Sequence, residues 1–364
     1  MAWNPSAFVG VGVVPPENIG AFFDELHESL RDAGVDGVKC DAQAAITMLG
    51  AGFGGGPKIT RRYVHALEKS VTEHLSGNCI NCMCHPTENI YSYQKTAVAR
   101  ASDDFYPREP ASHTVHILNV VYNTLFLGEV VHPDWDMFQS EHPAARLHAA
   151  ARAVGGCAVY TSDRPDVHDF DLLRKLVFPD GSVLRARLPG RPTRDCLFSD
   201  VATDGVTALK VPRAPARRPP GAAAQGSLSD RCHIDQPMNT THHKRLCRWL
   251  LQVWNRNLHG GVIGAFNLQG ASWDRTLRNF RVPEEPPGAV TARLKPADVE
   301  GLHSDTGRFV TWLHESRAMK VIGLSEEVPV ELDPQGSEVL RPRLSARQPT
   351  PPRAVEAACP ISTG

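Results

Sequence analysis

From Asn18 to Asp171 short apolar runs alternate with amphipathic stretches, and such alternation is the mark of helices packed on a parallel sheet. The stretch NIGAFFDELHESLRDAG sets Ile19, Phe22, Phe23, Leu26 and Leu30 on one helical face and stops at Gly34. KITRRYVHALEKSVTEHLSG repeats the arrangement and stops at Gly77. Strands are expected at Val35 to Cys40, Cys79 to Met83, Ala97 to Ala101, Leu127 to Val131 and Cys157 to Thr161. Helices are expected near 112–126, 141–153 and 168–176, which makes five βα units in succession.

Helices covering both faces of an open sheet, or ringing a barrel, satisfy that count equally. The barrel is favoured because polar residues follow the strands: Asp41, His85, Asp103, Asp104, Asp134, Asp136 and Asp163. A (β/α)8 barrel builds its active site from those C-terminal strand ends. The expected fold is therefore α/β, with residues 1–176 forming a partial (β/α)8 TIM barrel. A whole barrel takes about 250 residues; this segment is shorter and opens on a helix, so it is read as about strands four to eight, with the first three missing.

After residue 176 the texture becomes β. LVFPDGSVLRARLPGRPTRDCLFSD carries a Pro-Asp-Gly turn between alternating runs, a hairpin signal, and VWNRNLHGGVIGAFNLQG and SEEVPVELDPQGSEVLRPRL read the same way. An antiparallel β-sandwich domain is expected over 177–340. Within it 211–252 is rich in Pro, Arg and Ala without periodicity and reads as a disordered insertion; 341–364 reads as a disordered tail.

Lys and Arg number 39 against 40 Asp and Glu, a balance that gives no electrostatic reason to expect nucleic acid or an anionic membrane as partner. No apolar run reaches the roughly 18 residues of a membrane span, and the N-terminus lacks the basic start and apolar core of a signal peptide. Nine cysteines in a long chain read as reduced thiols. The expectation is a soluble, cytoplasmic protein acting on a small neutral substrate without a cofactor.

Two carboxylates stand out as candidate chemistry: Asp41 in VKCDAQ, and the pair Asp103 and Asp104 in VARASDDFYP. About two βα units separate them, so they could face each other across a barrel mouth, the arrangement of a glycosidase pair. In retaining glycosidases the two carboxyl groups lie about 5 to 5.5 Å apart, one as nucleophile and the other as acid/base. The alternative is that each Asp caps the helix after its strand. Lys39 and Arg100 precede them at the strand ends, where a cation keeps a neighbouring carboxylate ionised and donates to substrate hydroxyls.

GVDGVKCDAQ, RASDDFYPREPASHT, YNTLFLGEVVHPDWDMFQSEHPAARLHAAARAVGGCAVYTSD and LLRKLVFPDGSVLRARLPGRPTRDCLF resemble the plant raffinose synthase and seed imbibition family of glycoside hydrolase family 36. The likeness is close over about 11–210 and looser from 253 to about 340. The family's K-x-D and R-x-x-x-D signatures fall on Lys39-Cys40-Asp41 and on Arg100 with Asp104. The resemblance implies an α-galactosyl enzyme intermediate on Asp41, formed as Asp104 protonates the leaving group, with Asp103 as the runner-up acid. Burial of Asp104 as the protonated acid, and ionisation of Asp41 beside Lys39, would divide the roles. It also implies small galactosides, raffinose, galactinol and sucrose, as partners.

HPDWDMF is expected to line the pocket with Asp134, Trp135 and Asp136, Trp135 either stacking on a sugar or buried in the core; His85 and Asp163 are further candidate substrate contacts. NCINCMCHPTEN offers Cys79, Cys82, Cys84 and His85 at close spacing, but side chains alternate along a strand, so four ligands from one strand cannot surround a tetrahedral metal. No metal site is expected.

Cys40 stands where the relatives usually have Val, and the insertion separates LK from VWN, contiguous in relatives. It begins with Val and ends with Gln, as translation of a retained GT-to-AG intron would, and is read as a gene-model artefact; the first ten residues could share that origin. YPREPASHTVHI runs straight on from the R-x-x-x-D motif, as in seed imbibition proteins and alkaline α-galactosidases, and unlike raffinose synthases proper. That leans toward hydrolysis over transfer to sucrose. The competing reading is an inactive fragment or a galactoside-binding module, since an open parallel sheet leaves edges unpaired.

Overall fold

The computed structural model describes residues 12–184, 186, 188–203, 251–257 (backbone), 260–282, 284–285, 287–299, 302 and 307–344. Its first part runs α1 (Ile19–Asp32), β1 (Val38–Cys40), α2 (Ala45–Met48), α3 (Gly56–His74), β2 (Cys79–Asn81), α4 (Thr87–Ile90), β3 (Val98–Arg100), α5 (Ser112–Leu127), β4 (His132–Asp134), α6 (Ala145–Gly155) and α7 (Phe170–Leu173). The four strands form one parallel sheet in the order β1-β2-β3-β4, with Val38 opposite Cys79, Ile80 opposite Val98, and Val98 opposite His132. The order never reverses, so the sheet is not doubly wound. A further parallel bridge, Phe138 to Thr161, is what the described residues show of the expected fifth strand. They close no barrel.

The strand expected at Leu127 to Val131 is displaced. Helix α5 continues to Leu127, and the amides of Gly128, Val130 and Val131 fold back on Thr124 O and Leu127 O at 2.9 to 3.0 Å, which takes them out of ladder pairing. Pairing starts only where His132 N reaches Ala97 O. The apolar face of α1 is covered in part: Ile19 is buried and Phe23 packs beside Leu67 and Val71 of α3, whereas Phe22 and Leu26 are exposed.

The second part contains β5 (Arg191–Pro192), β6 (Leu251–Asn257), β7 (Gly260–Phe266), β8 (Ser272–Asp274), β9 (Asn279–Arg281), β10 (Val290–Leu294), β11 (Arg308–Leu313), β12 (Ala318–Gly323), β13 (Val328–Leu332) and β14 (Ser337–Leu344). An antiparallel six-stranded sheet of order β12-β11-β14-β7-β6-β5 packs against the β10-β13 pair through Ile263, Leu294, Phe309 and Leu340, which are fully buried. Two hairpin expectations hold: β6 pairs with β7, and around Gly181, at φ 84°, Phe178 N reaches Ser182 O at 2.8 Å. The third fails, because β13 pairs with β10 while β14 pairs with β7 and β11, so the Asp-Pro-Gln-Gly turn hands the chain from one layer to the other.

Of the insertion expected at 211–252, residues 211–250 lie outside the described residues, and Leu251 and Gln252 belong to β6, paired with Phe266 and Ala265. The tail expected from 341 starts too early, because Arg341 to Leu344 complete β14 against β11; 345–364 lie outside the described residues. The two parts share one core, where Val262, Phe266 and Leu268 meet Ile117, Val120 and Val121 of α5 and Leu147, Ala151 and Val154 of α6 around Trp135.

Candidate active site

Parallel register brings the C-terminal ends of β1, β3 and β4 to one side of the sheet, and with them Lys39, Asp41, Arg100, Asp134 and Asp136. Asp136 is the hub. Its Oδ1 accepts from Lys39 Nζ at 2.8 Å and faces Arg100 Nη1 at 3.2 Å, and its Oδ2 accepts from Phe105 N at 2.8 Å. Burial pushes this carboxyl up, but Arg100 and Lys39 outweigh it and hold it at about 2. Asp134, also buried, accepts from Tyr160 OH at 2.8 Å and Asp136 N at 3.1 Å; here burial wins over Tyr160 and Arg100, and the carboxyl sits above its ordinary range. Arg100 is itself 2% exposed, so the centre is a buried group of charges compensated by pairing.

Asp41, just past β1, is exposed and accepts from Ala42 N at 2.7 Å. It is held below the ordinary carboxylate range first by the Cys82 thiol and then, against a desolvation that works the other way, by the Ala42 amide, Lys39 and Arg100. Burial and the facing Asp41 push Cys82 up to about 12, so it stays an S–H donor. Asp104 Oδ1 accepts from Arg100 Nη1 at 3.1 Å, while Arg100 Nη2 ties down the same loop through Ser102 O at 3.2 Å and Asp103 O at 2.6 Å. The side chain of Asp104 is 63% exposed, so the burial that was to keep it protonated is absent. Neither Asp caps a helix: α2 and α5 start behind Ala44 and Ala111, with no side-chain cap.

The other candidates separate. Asp103 accepts from Asn119 Nδ2 at 3.0 Å and is thereby turned toward α5. His85 is exposed, and its Nε2 lies 2.5 Å from Arg100 O, against the backbone of the strand end. Trp135 is wholly buried in the shared core, so it is packing rather than a sugar platform. Asp163 holds Ser140 N and Oγ at 2.6 and 2.7 Å and His168 at 3.2 Å; its buried side chain secures a loop instead of facing a ligand. Cys79 and Cys84 point into two different apolar clusters, away from Cys82. Cys82, weighed in the sequence only as a metal ligand, and Tyr160 escaped the sequence reading as partners of the acids. Register could have found the first, since Cys40 lies opposite Asn81 and the next residue on each strand is Asp41 and Cys82.

Residues 3–213 and 234–341 match the family described as raffinose synthase or seed imbibition protein Sip1. Among curated proteins the chain is similar to "Probable galactinol--sucrose galactosyltransferase 1" of Arabidopsis thaliana, 44% identical over 91% of this chain and 39% of that protein. It is 36% identical to a galactinol–sucrose galactosyltransferase of Oryza sativa subsp. japonica over 91% of this chain and 38% of the relative. To the stachyose synthase of Pisum sativum it is 31% identical, over 90% of this chain and 35% of the relative. The chain thus spans less than two fifths of the length of these relatives. In fold it is similar to a GH27 β-L-arabinopyranosidase of Geobacillus stearothermophilus (TM-score 0.52, 13% identity, 92% of this chain, 63% of the other). A similar match is α-galactosidase I of Mortierella vinacea (TM-score 0.52, 11% identity, 90% of this chain, 72% of the other).

Proposed function

The chain belongs to the raffinose synthase or seed imbibition protein family, and from that premise we propose that it carries the catalytic centre of a retaining α-galactosyl-transferring enzyme of glycoside hydrolase family 36 type, acting on raffinose-family galactosides in the cytoplasm. The parallel β1-β4 sheet is read as an arc of a (β/α)8 barrel, and the β part as its companion sandwich. The observation that carries the reading is the Lys39–Asp136–Arg100 bridge, which sets one cation beside Asp41 and pairs the other with Asp104.

In the first step an Asp41 carboxylate oxygen bonds to C1 of the α-galactosyl unit as the C1–O bond to the leaving group breaks. Asp104 gives its proton to the departing oxygen. In the second, Asp104 takes a proton from water or a sugar hydroxyl, whose oxygen bonds to C1 while the Asp41 ester opens. Asp41 is suited to its part by its depressed pKa. Asp104 must leave its pair with Arg100 and carry a proton for the acid step, and a substrate bound over it would take it out of water. Lys39 and Arg100 are placed to donate to sugar hydroxyls.

Water as acceptor is favoured by the run YPREPASHTVHI directly after the R-x-x-x-D motif. The test is to assay the purified chain with raffinose, with galactinol plus sucrose, and with an aryl α-galactoside. Galactose release from all three supports the hydrolytic reading, and raffinose formed from galactinol and sucrose moves it to transfer. Galactose binding without turnover would make the chain a galactoside-binding module, the reading that the exposure of Asp104 favours.

A further inference from the structure

Beneath the Asp136 loop lies a layer of four ring and guanidinium side chains that no step above uses. Helix α5 contributes His113 and His116, one turn apart, and α6 contributes His148 and Arg152, one turn apart; they are 3%, 1%, 0% and 0% exposed. Arg152 Nε donates to Asp136 O at 3.2 Å. Its Nη1 donates to His148 Nδ1 at 2.7 Å, and its Nη2 to His116 Nε2 and Met137 O, both at 3.0 Å. No carboxylate is among these partners. A guanidinium keeps its proton and only donates, so His148 Nδ1 accepts from it, while His116 Nε2 is shared at 3.0 Å between Arg152 Nη2 and the Trp135 carbonyl. His148 then donates through Nε2 to His113 Nδ1 at 2.9 Å, and His116 donates through Nδ1 to Asp103 O at 2.9 Å.

The layer therefore grips two loops at once: Asp103 on the loop that carries Asp104, and the Asp136–Met137 peptides on the loop after β4. Asp136 needs the grip. It sits at φ 65°, the left-handed region, which a non-glycine residue enters only at a cost in backbone strain and holds only when its surroundings impose it. In that conformation its carboxylate reaches Lys39 and Arg100 while its carbonyl points back to Arg152.

We propose that Arg152 is a positioning residue for galactosyl transfer: clamped between His116 and His148, it fixes the backbone of Asp136 so that its carboxylate can set Lys39 beside Asp41 and Arg100 beside Asp104. This rests on the galactosyl reading only for its kinetic consequence.

The test compares Arg152→Met and Arg152→Lys with the parent chain on an aryl α-galactoside, together with crystal structures of both variants. A misplacement on the order of 1 Å predicts a kcat about 100-fold lower in Arg152→Met with KM within about 3-fold, and partial recovery in Arg152→Lys. Combined with Asp136→Asn, the loss should be much less than additive. A folded Arg152→Met with parental kcat, or losses that add, overturns the proposal. If the parent turns over no galactoside, the galactosyl reading fails and the structures still decide: Asp136 leaving the left-handed region and losing Lys39 supports the clamp, and an unchanged Asp136 overturns it. Should Arg152→Met not fold, Arg152→Lys carries the same readings.

Discussion

The charge of Asp41 rests first on a thiol. Cys82 outranks Lys39 and Arg100 among the groups that hold this carboxylate ionised, although the sequence pointed to the lysine. The reason is positional: Lys39 spends its ammonium on Asp136 at 2.8 Å, a bond from strand β1 to the loop after β4 that no one-dimensional pattern displays. Removing the thiol donor in Cys82→Ala should raise the pKa of Asp41, and since attack needs the carboxylate, the acid limb of the kcat/KM profile should move to higher pH. Cys82→Ser, which keeps a donor, should leave the limb near its original place, and an unmoved limb in both variants would remove Cys82 from the account. Trp135 is the opposite case. A Trp between two acids invites a sugar-stacking role, yet a Cβ on Gly155 would meet its ring at 2.5 Å, so packing decides its place. Trp135→Ala should destabilise the fold by about 3 to 5 kcal/mol in a denaturant titration, a core-sized loss that an exposed sugar platform would not give.

At the scale of elements, the strands that periodicity marked at Cys79 and Ala97 are present, and the acids that follow β1 and β3 do gather at one edge of the sheet. The start of β4 was not legible, because Leu127-Gly128-Glu129-Val130-Val131 has the composition of a strand while its amides serve the end of α5. Nor was the split of β13 from β14, since a Pro-Gln-Gly turn signals a reversal without saying which sheet receives the chain. The histidine layer between α5 and α6 has a pH consequence. Burial and Arg152 lower His116 to about 3, burial, His142 and Arg152 lower His113 to about 4, and burial, Arg152 and the neighbouring histidines put His148 well below its ordinary value. The unfolded chain binds these protons near pH 6.5 and the folded chain does not, so between about 6.5 and 4 the unfolded state holds more protons and stability rises with pH. Each histidine adds a slope of up to about 1.4 kcal/mol per pH unit in that window. Thermal melts from pH 7 to 4.5 should show a falling Tm, with a shallower fall in His113→Asn; a flat Tm would mean that the layer is already protonated or solvated.

At the scale of the molecule, two parts that look like separate domains in the sequence share the core around Trp135, Phe266 and Leu268. Composition marks where the texture changes near residue 176, but not that β7 packs on α6. Because Phe266 is buried against both α5 and α6 neighbours, Phe266→Ala should shift one common unfolding transition rather than release the β part alone, and two resolved transitions by calorimetry would contradict the shared core. The claim on which everything else rests is that Asp41 is the residue to which the galactosyl unit becomes attached. The direct measurement is to incubate the chain with a slowly turned-over fluorinated α-galactosyl fluoride, digest it and locate the adduct by mass spectrometry. The account predicts one fluorogalactosyl ester on Asp41, absent from Asp41→Ala; an ester on Asp104, or turnover in Asp41→Ala without added azide, would contradict it.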